Sequence, residues 1–369
     1  MDRVKLMLVG GFLGAGKTTL LWQSASRLIS RGMRVGLITN DQAPDLVDTE
    51  LLSGQGMSVQ EVSGSCFCCN FSGLVEAAEK LQHDVNADVL IAEPVGSCTD
   101  LSATILQPLK DKFRQEFELS PLSVLVDPTR LRDILSGGPG GLHESAAYVV
   151  RKQIEEADVI VLNKSDLLEA DQLEELRSLT ERRFPDAEVR RLSALTGEGV
   201  GEWLDAMLER GRAGQKVVDV DYDTYAEGEA VLGWLNAVIR LSSEEKDVDW
   251  RVLCGGFMDG LKTSFREMSA EVGHVKTLVV SKDGRWVANL TRTDGEVAIR
   301  GDEASNGRQA QMIVNARVEM SPEALEKTVR NDLRQSCERH GVEAEVFHLQ
   351  SLSPGRPQPT YRYEGVIDA

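Results

Sequence analysis

Gly11-Phe12-Leu13-Gly14-Ala15-Gly16-Lys17-Thr18 lies between an apolar run, Leu6-Met7-Leu8-Val9, and a helix-like segment, Thr19-Leu20-Leu21-Trp22. That order of strand, glycine-rich loop and helix is what a phosphate-binding loop requires. Gly11, Gly14 and Gly16 let the backbone curl, so that several N–H groups, Ala15 among them, converge on phosphate oxygens. The start of the helix adds its partial positive charge at the same point. Lys17 is placed to bridge the outer phosphates, and Thr18, followed by Thr19, to ligate Mg²⁺. The stretch predicts a nucleotide site at the end of the first strand.

Further along, Asn163-Lys164-Ser165-Asp166 follows the buried-strand pattern Val159-Ile160-Val161-Leu162. A carboxylate such as Asp166 accepts both N–H donors on the guanine edge, which adenine does not offer in that arrangement. Asn163 and Lys164 would brace the loop and cover the base. Ser193-Ala194-Leu195 follows another alternating strand and is placed to lend a backbone N–H to the base carbonyl. In this order behind a phosphate loop, the pieces favour GTP over ATP. Glu93 ends the buried strand Val89-Leu90-Ile91-Ala92, where its carboxylate can hold Mg²⁺ and the Gly96 N–H can meet a γ-phosphate. Asp41 ends the strand before it and is the candidate for ordering the Mg²⁺ shell or the attacking water. Asp127-Pro128 reads as a helix cap and first turn, outside the site.

Cys66-Phe67-Cys68-Cys69 occupies a loop between a short strand and a helix. Thiolates are soft ligands for Zn²⁺, Co²⁺, Fe²⁺ or Cu⁺. Three in one tight loop make a partial coordination shell, with a position left for a fourth ligand. Cys98 lies just past Glu93-x-x-Gly96; in a parallel sheet it reaches the same edge as the cysteine loop and is a candidate fourth thiolate.

Bulk composition bounds the rest. The 369 residues suggest two domains, and 41 basic against 59 acidic side chains give a net charge of −18. That balance argues against nucleic acid and anionic membrane as partners. No apolar run approaches a membrane span, the N-terminus has no signal-peptide pattern, and clustered cysteines fit a reducing compartment; the expectation is a cytoplasmic protein.

Taken together, Gly-Gly-Phe-Leu-Gly-Ala-Gly-Lys-Thr-Thr at 10–19, the C-x-C-C at 66–69, Glu93-x-x-Gly96 and Asn163-Lys164-x-Asp166 make the chain resemble the CobW family of P-loop GTPases, relatives of the hydrogenase and urease nickel-insertion GTPases. The resemblance covers the first 210 residues. It implies a slow GTPase acting as a metallochaperone: Zn²⁺, Co²⁺ or Fe²⁺ on Cys66, Cys68 and Cys69, with hydrolysis driving transfer to an apo-metalloenzyme client. It also implies a smaller C-terminal domain. A second reading stays open, a GTP-dependent gatekeeper for an organic cofactor such as a corrinoid, acting on a cofactor-dependent enzyme with the cysteines as a structural zinc site. The chain departs from the family in three places. Its five histidines are scattered, Asp41 stands where relatives often carry glutamate, and the stretch with Pro94 and Cys98 is unlike the common form.

Periodicity predicts alternating strands and helices through residue 210, with helices at 18–30, 74–81, 144–157, 170–183 and 200–209. The expected fold is α/β: a P-loop GTPase domain with a mainly parallel sheet over 1–214, then a smaller α+β, ferredoxin-like domain over 215–352. In the second part, 229–241 reads as a strand, 249–272 as a helix, and 275–281 with 285–291 as a hairpin. Residues 311–318 form a further strand, 321–340 a capped helix and 342–349 a last strand. Nothing in this domain looks catalytic; it is assigned to recognising a client or a second copy of the chain, as a homodimer. Residues 353–369 read as a Pro-rich extended tail, either solvated or gripped by a partner.

Overall fold

A computed structural model of the chain describes residues 3–41, 47–53, 57–209, 211–302 and 306–368. It divides into two compact units, the first made of residues 1–42, 52–228 and 356–369 and the second of 43–51 and 229–355.

The first unit is built on one sheet. Its strands are β1 (Val4–Gly11), β2 (Val35–Asn40), β3 (Ser58–Val62), β4 (Val89–Glu93), β5 (Phe117–Leu119), β6 (Ser123–Val126), β7 (Val159–Leu162) and β8 (Glu188–Arg191). Their order is β3-β2-β4-β1-β6-β7-β8, with β5 also on β1. Every pairing described in it is parallel. Parallel strands need crossovers, and helices supply them: α1 (Lys17–Ser30), α3 (Phe71–Val85), α4 (Gln107–Lys112), α5 (Pro128–Leu135), α6 (Glu144–Glu156), α7 (Ala170–Arg183) and α8 (Val200–Glu209); most of α2 (Val47–Ser53) belongs to the second unit. The near-continuous apolar runs of β1, β4 and β7 follow from burial on both faces. On one face Leu20, Leu21 and Leu28 of α1 meet Trp203 and Met207 of α8 over the sheet. The consequence for function is topological. All seven strands of the main path point the same way, so the loops after β1, β2, β3, β4, β7 and β8 gather at one edge.

The expected mainly parallel sheet is therefore present, and so is the second, smaller α+β unit. That unit holds β9 (Gly233–Ser242), α10 (Trp250–Glu267), β11 (Val272–Ser281), β12 (Arg285–Leu290), β13 (Ala298–Gly301), β15 (Gln309–Val318), α11 (Pro322–His340) and β16 (Glu343–Leu352); β10 (Val248–Asp249) and β14 (Asn306–Gly307) form a separate short pair. The antiparallel order β13-β12-β11-β15-β9-β16 is the ferredoxin-like arrangement with a hairpin extension. Trp250, Phe257, Leu261 and Phe265 of α10 fill its core, and Ser321 caps α11 by accepting from the Ala324 N–H at 3.2 Å.

Three local features differ from the sequence reading. Helix α9 (Tyr222–Ala230) stands before and overlaps the start of the 229–241 strand reading, and Gly228 in it is a close-packing glycine: a Cβ there would stand 2.3 Å from the Ser145 carbonyl oxygen. The compact units divide after Gly228 instead of near 215, since Asp158 accepts from the Gly214 and Gln215 N–H groups and the Tyr148 hydroxyl from that of Asp221. Helix α10 stops at Glu267, where Ser269 takes a left-handed φ of 52°.

Candidate functional site

The phosphate loop is shaped by close approaches that only glycine tolerates. Gly11 has φ 131°, and a Cβ on it would lie 2.4 Å from the Leu125 carbonyl oxygen. Gly16 has φ 96°, and a Cβ there would meet Asn163 Nδ2 at 2.4 Å. Asn163 comes that near because its amide donates to the Ala15 carbonyl at 2.6 Å and accepts the Ala194 N–H at 2.9 Å. One side chain thus ties the phosphate loop, the loop after β7 and the loop after β8 together.

Lys17 Nζ donates to the carbonyls of Gly11 (2.8 Å) and Phe12 (3.4 Å) and stands 3.7 Å from Glu93 Oε1. Thr18 Oγ1 donates to the same carboxylate oxygen at 3.4 Å. A hydroxyl and a carboxylate side by side at a helix N-terminus are the hard oxygen donors that suit Mg²⁺. Gly96 rests on the loop: a Cβ on it would meet Leu13 Cδ2 at 2.7 Å. Gly14, with φ 75°, and Thr19 in the first turn of α1 complete the stretch.

In the loops after β7 and β8, Ser193 Oγ donates to Asp166 Oδ1 and accepts the Thr196 N–H at 3.1 Å, which fixes the carboxylate. Lys164 takes a left-handed φ of 60° and pairs with Asp127 at 2.7 Å. Asp127 does cap α5, accepting from the Thr129 N–H at 2.9 Å, and it also holds Lys164, a role the sequence did not suggest. Burial opposes its charge, but Lys164 beside it, together with the Arg130 N–H and charge, holds the carboxyl below the usual range. Ala194 uses its N–H on Asn163, and the side chain of the next residue, Leu195, is exposed. Arg130 of α5 lies over the Phe12 ring at 5.0 Å, a contact between distant segments that spacing alone does not reveal.

The cysteine loop closes on itself: the Cys69 and Asn70 N–H groups both donate to the Cys66 carbonyl, at 3.0 and 2.9 Å. The turn gathers three sulfurs, with Cys66 Sγ 2.7 Å from Cys68 Sγ and 3.3 Å from Cys69 Sγ, and Cys68 3.7 Å from Cys69. Each lies within 4.8 Å of the others, a donor set of the right softness and reach for a thiophilic cation. Cys98 Sγ lies 3.8 Å from Cys68 Sγ. Hydrogen bonding to Cys66 is the main cause that raises Cys68 well above a free thiol and Cys69 to about 11. Cation binding must therefore displace protons. Cys254 and Cys337 are buried in the core of the second unit.

Two partners of this loop escaped the sequence. Asn40, at the end of β2, donates to the Val62 and Ser65 carbonyls, both at 2.8 Å, and accepts the Phe67 N–H at 2.9 Å. Its neighbour Asp41 is buried, with its N–H on the Val62 carbonyl at 3.2 Å. The tail is the other partner. The Gln358 N–H donates to Cys69 Sγ at 3.2 Å, and Thr360 bonds the Cys68 carbonyl (2.8 Å) and the Cys69 carbonyl (3.1 Å). Tyr361 sets its edge against Phe71 at 5.2 Å, and Arg362 pairs with buried Asp100 at 2.7 Å. Residues 356–368 contain no helix or strand; Gln358 and Thr360 lie against the cysteine loop, while most side chains of the segment stay exposed. Prolines at 354, 357 and 359 signalled extension and gave no sign of where the chain would lie.

Among the described residues no helix is long and apolar enough to cross a membrane. The family profile described as CobW/HypB/UreG, nucleotide-binding domain, matches residues 5–191. The chain is 29% identical over 240 residues to "Zinc chaperone CobW" of a Sinorhizobium species, covering 55% of this chain and 65% of that protein. It is 26% identical over 192 residues to "Zinc chaperone YjiA" of Escherichia coli K12, covering 50% and 57%. It thus spans less than two thirds of the length of these curated relatives. Among solved structures, HypB from Helicobacter pylori in complex with nickel aligns over 57% of this chain and 87% of its own, at 18% identity and a TM-score of 0.41. Zn(II)-bound YjiA GTPase from E. coli aligns over 91% and 99%, at 16% identity and a TM-score of 0.35. With half of its length matched by the profile, from the first strand to the last strand of the parallel sheet, the chain belongs to the CobW/HypB/UreG family of P-loop GTPases.

Proposed function

We propose that this protein is a GTP-hydrolysing metallochaperone that carries a transition metal on Cys66, Cys68 and Cys69 and passes it to an apo-metalloenzyme, with the nucleotide state setting how firmly the metal is held. The observation that carries the reading is the gathering of three sulfurs at the sheet edge that also carries the phosphate loop. The relatives named as zinc chaperones support it, and Zn²⁺ is the first candidate cargo. Co²⁺ and Fe²⁺ suit the same donors.

In this reading Asp166 accepts from the guanine edge, Ser193 holds it in place, and Leu195 lends its N–H to the base carbonyl. Lys17 leaves its carbonyl partners for the outer phosphates, while Thr18 and Glu93 hold Mg²⁺, directly or through water. The bound Mg²⁺ supplies neutralisation of charge on the phosphates. The amides of the loop from Gly11 to Thr18, together with Gly96, stabilise what develops on the γ-phosphoryl group. Asp41 orders the attacking water or the Mg²⁺ shell. Asn40, its neighbour, braces the cysteine loop, so a shift at the end of β2 for the γ-phosphate reaches the sulfurs through one side chain.

The test is metal content and Zn²⁺ or Co²⁺ affinity of the reduced protein with GDP and with a non-hydrolysable GTP analogue, alongside GTP turnover with and without metal. The expected result is at least a tenfold difference in affinity between the nucleotides and turnover that responds to metal. Equal affinity in both states, with metal-indifferent turnover, overturns the delivery reading.

A further inference from the structure

We infer that Cys98 is a fourth sulfur ligand, and that the cation site is a four-thiolate shell which Cys98 closes and opens. The inference rests on the metal reading of Cys66, Cys68 and Cys69 and adds a second residue, beside Asn40, through which the nucleotide acts on it.

Geometry comes first. A regular tetrahedron of sulfurs about a cation with metal–sulfur bonds of about 2.3 Å has edges of about 3.8 Å. The Cys68–Cys69 and Cys68–Cys98 separations are 3.7 and 3.8 Å, already at that spacing. The Cys66–Cys69 distance of 3.3 Å must open by about 0.5 Å and the Cys66–Cys68 distance of 2.7 Å by about 1 Å to share one cation. Cys98 stands outside the group of three sulfurs that all lie within 4.8 Å of one another, so it closes the shell by moving towards Cys66 and Cys69. Cys98 is buried and reaches the loop sulfurs through Cys68, so the shell assembles largely in the interior, where sulfur ligands must replace the water of the cation.

Chain connectivity supplies the control. Cys98 lies two residues beyond Gly96, and Gln153 of α6 donates from one Nε2 to the carbonyls of both, at 3.0 and 2.8 Å. The Cys98 N–H returns to the Val95 carbonyl at 2.9 Å, making residues 95–98 one tight turn. The other face of Gly96 touches Leu13 of the phosphate loop. A turn that moves to bring the Gly96 N–H onto a γ-phosphate must therefore carry Cys98 with it. Four thiolates form a closed shell, which stores; three leave one position for an incoming ligand from the recipient, which is what transfer needs.

X-ray absorption on the reduced, Zn²⁺-loaded full chain counts sulfur neighbours directly, in the GDP state and with a non-hydrolysable GTP analogue. The expected counts are four in one state and three in the other. In Cys98→Ala the expected count is three in both, with Co²⁺ affinity lowered at least tenfold in the four-sulfur state and a nucleotide dependence smaller than that of wild type. Cys254→Ala, a buried thiol of the other unit, is the control and is expected to match wild type. Three sulfurs in wild type under both nucleotides, or four under both, overturns the inference whether or not the variant folds. Loss of all metal–sulfur signal in wild type overturns the metal reading beneath it instead, so the two failures are distinct.

Discussion

The phosphate loop and the cysteine loop leave the same edge of one parallel sheet, yet they are shaped by different parts of the chain. Lys17 is held by carbonyls five and six residues before it, and Thr18 and Glu93 need only two strand ends to meet. The cysteine loop depends instead on Asn40, 27 residues from Phe67, and on Gln358, 289 residues from Cys69. One loop is a local motif that a sheet presents. The other is a local motif that the rest of the unit assembles.

Replacing Lys17 with Ala breaks the first loop alone and gives the largest effect. Removing a charged donor from a developing phosphoryl charge costs about 10²–10³-fold in turnover. Phosphate release under saturating GTP should fall by at least that factor, while Zn²⁺ content of the GDP form stays at the wild-type value. Parallel loss of metal would mean that the two loops are not separable.

Asn40→Ala attacks the second loop. It deletes two buried hydrogen bonds and one part-buried one, stranding the Ser65 carbonyl and the Phe67 N–H while the Val62 carbonyl keeps the Asp41 N–H. At about 1 kcal/mol each, the loop loses some 2–3 kcal/mol of order. Co²⁺ affinity should drop about tenfold or more with GDP affinity within threefold of wild type. An unchanged Co²⁺ titration would show that the turn through Cys66 holds the sulfurs unaided.

A finer probe is Gln358→Pro, which takes away the N–H given to Cys69 Sγ and fits an already extended, proline-flanked segment. One lost hydrogen bond of about 1 kcal/mol is about a fivefold change. Metal should therefore dissociate a few-fold faster, and maleimide should label Cys69 faster in the metal-free protein. Identical labelling rates would reduce the tail to a cover that leaves the sulfur untouched.

The same contrast explains what the sequence made legible. The strands, the glycines at their left-handed positions, Asn163-Lys164-x-Asp166 and the C-x-C-C turn are short-range patterns with a local physical cause, and they stand where periodicity and spacing put them. Asn40, Arg130 and the tail act across the sheet edge, so their roles exist only once β2, α5 and residues 356–368 have come to lie beside loops remote in sequence. Gly228 failed for a related reason. A glycine that breaks a helix and one that lets a helix approach Ser145 look alike until the approach is made.

The smallest effect sharpens the link between the two loops from behind. Glu156, fully buried at the end of α6, accepts from the Ser102 N–H (2.9 Å) and the Thr99 hydroxyl (3.1 Å), just past the Cys98 turn. Burial, with Asp100 nearby adding to it, pushes this carboxyl up to about 8. In the unfolded chain it ionises near the ordinary glutamate value of about 4.3. Between those two values the folded protein keeps a proton that the unfolded chain has released. Its stabilising contribution is therefore complete below the lower value and is lost progressively as pH rises towards 8. Glu156→Gln removes the titration and preserves the bonds, since the Thr99 hydroxyl can turn to accept from the new amide. Melting temperatures should show the variant gaining on wild type by at least about 1 kcal/mol between pH 5 and pH 8. A difference that stays flat across that range would mean that Glu156 is ionised in the fold and that Ser102 and Thr99 bind a carboxylate. The segment after Cys98 would then be anchored by charge, and its position would be set as rigidly as that of the phosphate loop.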